Sequence, residues 1–244
     1  MAMEEKHKAP QINGKLRQVA LRVPEAIRKC SGIVIFGKRI KSLVFTTDVS
    51  IMRNVNADAV IAVYPFTPQP VITDALLTAA DLPLFVGVGG GLTKGERVTS
   101  LAIFAEMQGA IGVVVNAPTS NESIASISRA VEIPLVVTVV SEDTDFAGRI
   151  AAGAAIFNVS CAGDTPRVVR KIREQYPDFP IIATGGPTEE TILATIAAGA
   201  NAITYTPPTN GQLFAKDMHR YREWFAHMDD PEEDEKASPS DTAQ

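Results

Sequence analysis

The sequence is poor in cysteine and in aromatic residues, and it has no apolar run long enough to cross a membrane. Only Cys30 and Cys161 occur among 244 residues. This usage excludes a disulfide framework and suits a reducing compartment, so the cytoplasm is the expected location. No apolar stretch reaches the roughly 18 residues of a membrane span, and Met1–Pro10 lacks the apolar segment of a signal peptide. We therefore expect no membrane partner.

Histidine is also scarce, which restricts the chemistry that the chain can perform. The three histidines, His7, His219 and His227, lie outside every predicted strand. A histidine-based triad, a histidine-rich zinc site and a histidine proton shuttle are therefore not expected. Acid–base work would fall to carboxylates or to tyrosine.

The formal net charge of −5 is concentrated at the C-terminal end. Residues 229–244 contain seven acids and one lysine, so this segment carries −6 and the remainder carries +1. The segment is predicted to be a solvated, disordered tail. No basic stripe occurs in the remainder, so nucleic acid is not an expected partner.

Eight near-continuous aliphatic runs predict strands that are buried on both faces. They cover residues 41–47, 59–64, 83–89, 111–116, 134–140, 155–161, 180–186 and 202–208. Helical spacing of apolar residues follows most of them, at 71–80, 94–108, 121–131, 143–152, 165–176, 188–198 and 212–228. Residues 48–58 are too short a link for a definite helix.

This alternation of strands and helices predicts an α/β fold, a compact (β/α)8 TIM barrel. An open doubly wound sheet is the alternative, and the even spacing of eight strands favours closure. The predicted domains are an N-terminal extension (1–40), the barrel (41–228) and the acidic tail (229–244). The extension is expected to contain a helix over residues 16–30 and a short strand at 33–36 that caps the barrel bottom.

In such barrels the ligand site lies on the loops that follow the strands. The residues at these ends therefore supply the candidates. The catalytic candidates are Asp48, Lys94 and Glu142, and the substrate-binding candidates are Gly90, Gly91, Asn116, Asn158, Thr184, Gly185, Gly186 and Thr206.

The ends of the last two strands suit an anion. Gly185 and Gly186 lead into a helix start at Thr188, and Thr206 follows the next strand. Glycines let backbone N–H groups approach an anion, and a helix N-terminus favours negative charge. A tight turn is the alternative role of the glycine pair, because Glu189 and Glu190 add negative charge nearby.

The stretch "FPIIATGGPTEETILATIAAGANAITYTPP" resembles the closing half of phosphate-binding barrels. These include keto-deoxy-phosphogluconate aldolase, thiamine-phosphate synthase and N-acetylmannosamine-phosphate epimerase, and the resemblance covers residues 151–208. It implies a barrel with a phosphate site and fixes no reaction. The aldolases of this group need a Schiff-base lysine on the sixth strand, where this sequence has Phe157 and Asn158. The Lys/Glu pair of the epimerase is also missing.

Lys94 is the nearest alternative to that lysine. It lies in "GGGLTKGER", a glycine-rich loop whose spacing does not match a P-loop, and the loop is either a lid or a flexible connection. Asp48, Glu142 and Asp143 on two loops could serve as acid and base, could hold Mg²⁺, or could cap helices. Cys161 has no nearby histidine that would activate it as a nucleophile.

Two functions follow from these patterns. The first is a barrel enzyme that acts on a small phosphorylated or anionic metabolite by lyase, isomerase or hydrolase chemistry. The second is a non-catalytic barrel that binds a ligand or a partner. No cofactor is identified except the Mg²⁺ just named, and a homo-oligomer is expected.

Overall fold

Eight parallel strands close into a barrel in the computed structural model, which describes residues 10, 12 and 21–227. Each strand pairs with the next, and the last pairs with the first. They are β3 (Ser42–Phe45), β4 (Ala59–Ala62), β5 (Leu84–Gly89), β6 (Gly112–Val115), β7 (Leu135–Val139), β8 (Ile156–Val159), β9 (Ile181–Thr184) and β10 (Ala202–Tyr205). The predicted closed barrel is confirmed, and the open sheet is excluded.

Helices cover the outside of the barrel strands. They are α1 (Val49–Arg53), α2 (Pro70–Ala79), α3 (Glu96–Met107), α4 (Asn121–Ala130), α5 (Phe146–Ala151), α6 (Thr165–Gln175) and α7 (Glu189–Ala197). Each predicted barrel helix is confirmed. The doubtful link 48–58 also contains a short helix, α1, because Asp48 caps it by accepting hydrogen bonds from two backbone N–H groups.

A β-hairpin closes the N-terminal end of the barrel. Strands β1 (Ile33–Ile35) and β2 (Lys38–Ile40) pair antiparallel. Ile35 and Ile40 pack into the same apolar cluster as the first residues of the barrel strands. The connecting residues Phe36 and Gly37 have φ values of 46° and 78°. Positive φ at both central residues matches the twist of a tight hairpin. The predicted strand at 33–36 is therefore confirmed, and it has a partner.

The helix predicted over residues 16–30 is shorter in the part that the structure describes. A five-residue 3-10 helix, Glu25–Lys29, begins after Pro24. A proline disfavours helical backbone in the residue before it, so the helix does not extend back through Val23. Residues 16–20 lie outside the described residues.

The chain divides into two compact units, residues 21–208 and the chain ends, residues 1–20 and 209–244. In the second unit the structure describes α8 (Asn210–His227), which begins where Thr209 Oγ1 accepts a hydrogen bond from Gln212 N at 3.2 Å. The acidic tail, 229–244, lies outside the described residues. Within the described part, no helix is both long and apolar enough to span a membrane.

Candidate ligand site at the barrel mouth

The inside of the barrel is apolar at its centre and polar on one side of its C-terminal mouth. Alternate residues of each strand face inward, and the stagger between neighbouring strands arranges them in layers of four. The central layer consists of Leu43, Phe85, Val136 and Ile182. The strand registers place Ile61, Val114, Asn158 and Thr204 in the next layer toward the mouth. Above them lie Phe45, Gly87, Thr138 and Thr184.

The polar half of these layers comes from β7 to β10. Asn158 Nδ2 donates to Thr138 Oγ1 at 3.4 Å, and Thr184 Oγ1 donates to Ser160 Oγ at 3.4 Å. Two further polar atoms, Asn158 Oδ1 and Thr204 Oγ1, are buried without a hydrogen-bond partner. Unsatisfied buried polar atoms are uncommon in folded proteins, so this pair marks the floor of a candidate site.

A cleft of about 220 Å³ opens at the ends of β4, β5 and β6. The predicted binding residues Gly91 and Asn116 line it together with the exposed Phe66 and Leu92. The Asn116 carbonyl accepts hydrogen bonds from the Thr119 backbone and hydroxyl, so it fixes the following loop. Phe66 and Leu92 form the apolar wall of the mouth.

The atoms around Gly90 leave no room for a side chain. Its φ is 99°, and a Cβ at this position would lie 1.9 Å from Thr119 Oγ1. Its N–H donates to the Thr93 carbonyl at 3.0 Å. The residue thus connects two rim loops, and this role explains why glycine is required here.

Lys94 lines a second cleft, of about 280 Å³, between the loops that follow β5 and β6. Gly90, Ser120 and Ser123 line the same cleft, and Ser120 caps α4 by accepting a hydrogen bond from Ser123 N. Among the described residues, the Lys94 ammonium has no hydrogen-bond or ion-pair partner. An unpaired cation at the rim attracts an anionic ligand.

Asp48 and Glu142 are both engaged by neighbours within the chain. Hydrogen bonds from the Ser50 hydroxyl and from the backbone N–H groups of Ser50 and Ile51 lower the pKa of Asp48, against a smaller effect of burial. Glu142 forms an ion pair with Arg167, and its carbonyl accepts from Lys171 Nζ. The three catalytic candidates therefore lie on separate rim loops, and the two carboxylates have structural contacts.

The glycine pair after β9 forms a tight connection. Gly185 N–H donates to the Thr204 carbonyl at 3.4 Å, so it does not face the mouth as the anion hypothesis requires. Gly186 has a φ of 81°, and a Cβ there would lie 2.6 Å from Thr191 Oγ1. Thr188 and Thr191 cap α7 reciprocally. The predicted cradle therefore loses the Gly185 N–H, and the Gly186 N–H and the exposed Thr206 remain its candidate groups.

Paired substitutions at Gly186 test what remains of this cradle. Alanine and aspartate strain the turn similarly because both need the positive φ, but only aspartate adds a negative charge. If an anion binds there, Gly186→Asp should bind inorganic phosphate at least tenfold more weakly than Gly186→Ala. Repulsion at about 4 Å is on the order of 1–4 kcal/mol. Equal dissociation constants for the two folded variants, measured by calorimetry, would exclude the cradle.

Two further kinds of chemistry, a cysteine nucleophile and a metal site, depend on the surroundings of Cys161 and of the acidic side chains. Burial raises the pKa of the Cys161 thiol, and Sγ lies 3.6 Å from the Val139 carbonyl, so the reactive thiolate is disfavoured. Among the residues that the structure describes, no three His, Cys, Asp or Glu side chains converge as metal ligands.

The floor residue Thr204 is one of the strand-end residues that the predicted barrel makes candidates, but no sequence pattern distinguishes it as a binding residue. Threonine is common in strands, and "AITYT" reads as an ordinary buried strand. Inward alternation from Ala202 was the available signal, since it places Thr204 and Thr206 on the same face. Its lack of a partner depends on residues of distant strands and could not be inferred locally.

No family model matches the chain, and no curated protein matches it. Solved structures do share its fold. A 2,3-dimethylmalate lyase of the PEP mutase/isocitrate lyase superfamily aligns with a TM-score of 0.58 and 12% identity, over 92% of this chain and 90% of its own. A phosphoenolpyruvate phosphomutase from Streptomyces platensis subsp. rosaceus gives 0.57 and 12%, over 88% of each chain.

A phosphonopyruvate hydrolase, solved with oxalate and Mg²⁺, aligns with a TM-score of 0.55 and 13% identity, over 84% of this chain and 86% of its own. Identities this low support the barrel fold and leave the reaction open. Membership of the three families that the sequence resembles stays a prediction.

Proposed function

We propose that this chain is a barrel enzyme that acts on a small phosphorylated or anionic metabolite at its C-terminal mouth. The unpaired Lys94 ammonium beside a cleft of about 280 Å³ carries this proposal. A lysine without a counter-charge at the rim of the barrel mouth is suited to hold a phosphate or a carboxylate. The occurrence of lyase, phosphomutase and hydrolase activities on the same fold supports this ligand class.

The reaction class is lyase, isomerase or hydrolase chemistry, and Lys94 would hold the anionic group. Asp48 stays ionised because its pKa is lowered, so it suits electrostatic stabilisation better than proton abstraction. Glu142 would contribute only if its ion pair with Arg167 opened. Mg²⁺ enters the proposal solely as an ion that accompanies a phosphorylated ligand, since Mg²⁺ is commonly held through substrate phosphates and one or two carboxylates.

A non-catalytic barrel is the second candidate, and one observation favours it. Both candidate carboxylates have structural partners, which leaves no free acid–base pair among them. A binding barrel would retain ligand affinity without turnover. Incubation of the protein with phosphate esters that bind, followed by mass spectrometry of the mixture, separates the two: new products indicate an enzyme.

Removal of the Lys94 charge tests the ligand class. The Lys94→Met variant should bind glycerol 3-phosphate and inorganic phosphate about tenfold more weakly than wild type, because an ionic hydrogen bond is lost. Lys38→Met, in the hairpin at the opposite end of the barrel, is the matched control and should bind as wild type does. Calorimetry gives the dissociation constants. Equal affinity in wild type and Lys94→Met would contradict the proposal.

A further inference from the structure

The two unpartnered polar atoms of the barrel floor lie in one layer on alternate strands. Asn158 pairs with Ile182 of β9, and Ile182 pairs with Ala202 of β10. Thr204 is two residues beyond Ala202 and faces the same interior. Its side chain is 6% exposed. Because neighbouring strands are staggered, Asn158 on β8 and Thr204 on β10 lie in the same layer, on either side of β9.

The other two residues of this layer show that apolar side chains can pack at this depth. Ile61 and Val114 complete the layer, and both are buried in the apolar cluster of the barrel interior. Valine is nearly isosteric with threonine and would fill the position of Thr204 without an unpaired hydroxyl. Since burial of an unpaired polar group is unfavourable, the two groups at this depth require a partner that the neighbouring side chains do not supply.

The hydrogen-bonding capacity of the floor restricts the partner. Asn158 Nδ2 already donates to Thr138 Oγ1, so the free atom, Oδ1, can only accept. The Thr204 hydroxyl can donate or accept. A phosphate or carboxylate oxygen would place two acceptors against each other at Oδ1. A hydroxyl can satisfy either atom, because it can donate to Asn158 Oδ1 and accept from Thr204 Oγ1.

The layer above the floor is thin. It contains Gly87, which has no side chain, and Thr138 and Thr184, which are small. Phe45 is the one large member, and it is 39% exposed. Of the four inward-facing residues in this layer, Phe45 alone therefore places a large side chain between the mouth and the floor.

We infer that the floor formed by Asn158 and Thr204 binds a hydroxyl of the ligand, so that the ligand class is a small polyhydroxylated phosphate ester or acid, such as a polyol or sugar phosphate. This inference rests on the proposed function. The anionic group would lie at the Lys94 rim, and the hydroxyl-bearing carbons would extend toward the floor. Ser160 and Thr184 supply further hydroxyls at the ends of β8 and β9.

Matched ligands and variants test the hydroxyl site. Calorimetry compares glycerol 3-phosphate with propyl phosphate, which lacks both hydroxyls, on wild type, Thr204→Val and Thr204→Ser. Wild type should prefer glycerol 3-phosphate by at least tenfold, because the analogue leaves buried polar groups unpaired. Thr204→Val should lose most of this preference while its affinity for propyl phosphate is unchanged. Thr204→Ser keeps the hydroxyl and should keep the preference.

The results distinguish failure of the hydroxyl site from failure of the proposed function. A wild type that binds both esters equally, or a preference that persists in Thr204→Val, would overturn the hydroxyl site and leave the proposed function intact; the floor would then be satisfied by an internal water. Failure of wild type to bind either ester or inorganic phosphate would overturn both. If Thr204→Val does not fold, Thr204→Ala, which cannot overpack the layer, provides the same comparison.

Discussion

The Gly90→Ala variant should lose about 2–6 kcal/mol of unfolding free energy, the largest effect that we expect from a single methyl group in this protein. The added Cβ would lie 1.9 Å from Thr119 Oγ1 and 2.9 Å from Asn116 N, and the φ of 99° is unfavourable for any L side chain. Strain of about 1–3 kcal/mol and overpacking of about 1–3 kcal/mol both contribute. Urea unfolding followed by circular dichroism measures the loss.

Gly95→Ala is the matched control for this variant. Gly95 lies in the same loop with a φ of 62°, but a Cβ there meets no atom within 4 Å. It should lose only the conformational part, about 1–2 kcal/mol. The double variant Gly90→Ala/Thr119→Ala should recover part of the lost unfolding free energy, because it removes the Thr119 hydroxyl. The recovery should be incomplete, because the Asn116 backbone still obstructs the Cβ. A Gly90→Ala variant as stable as Gly95→Ala would contradict the packing of this loop.

The loop that Gly90 holds also positions Lys94, so this substitution links stability to ligand binding. Gly90 N–H bonds to the Thr93 carbonyl, one residue before Lys94. A displaced Gly90 moves the hydrogen bond and the lysine with it.

The strands of this fold could be predicted because their signal is local. Each barrel strand is an aliphatic run buried on both faces, and such runs need no knowledge of their partners. The predicted ends extend one or two residues too far in several strands, for example to Tyr64, Val140 and Cys161. Apolar character continues past the last hydrogen-bonded pair, so hydropathy alone does not locate where pairing stops.

The candidate site could be predicted only in part. Its place at the strand ends follows from the fold, and Asn116, Asn158 and Lys94 do lie on the mouth or its rim. From the sequence, Asp48 is a candidate for acid–base chemistry, but its position before α1 makes it a helix cap. The unpartnered state of Thr204 depends on the registers of four strands, and no local pattern encodes it.

The Asp58→Asn variant should lose about 2–3 kcal/mol at pH 7, because a single carboxylate joins the first two barrel strands and the N-terminal segment. Asp58 Oδ2 accepts from Lys41 N, Ser42 N and Ser42 Oγ, each at 2.9 Å, and Oδ1 pairs with Arg28 at 3.1 Å. Asparagine has one oxygen, so its NH2 group must face either the strand donors or the guanidinium. Asp81→Asn, in the exposed pair with Arg53, is the control and should change stability by less than about 1 kcal/mol.

The pH dependence of the same variant gives an independent test. Burial disfavours the charged form of Asp58, but the hydrogen bonds from Lys41 and Ser42, with the charge of Arg28, outweigh it and lower the pKa. A carboxyl whose pKa is lower in the folded state stabilises the protein above its unfolded value of about 3.9, and this stabilisation is lost as the pH falls through the folded value. The stability difference between wild type and Asp58→Asn should therefore be constant from pH 6 to 7 and should shrink below about pH 4. A difference that grows on acidification would mean that Asp58 is not held as an anion in the folded protein.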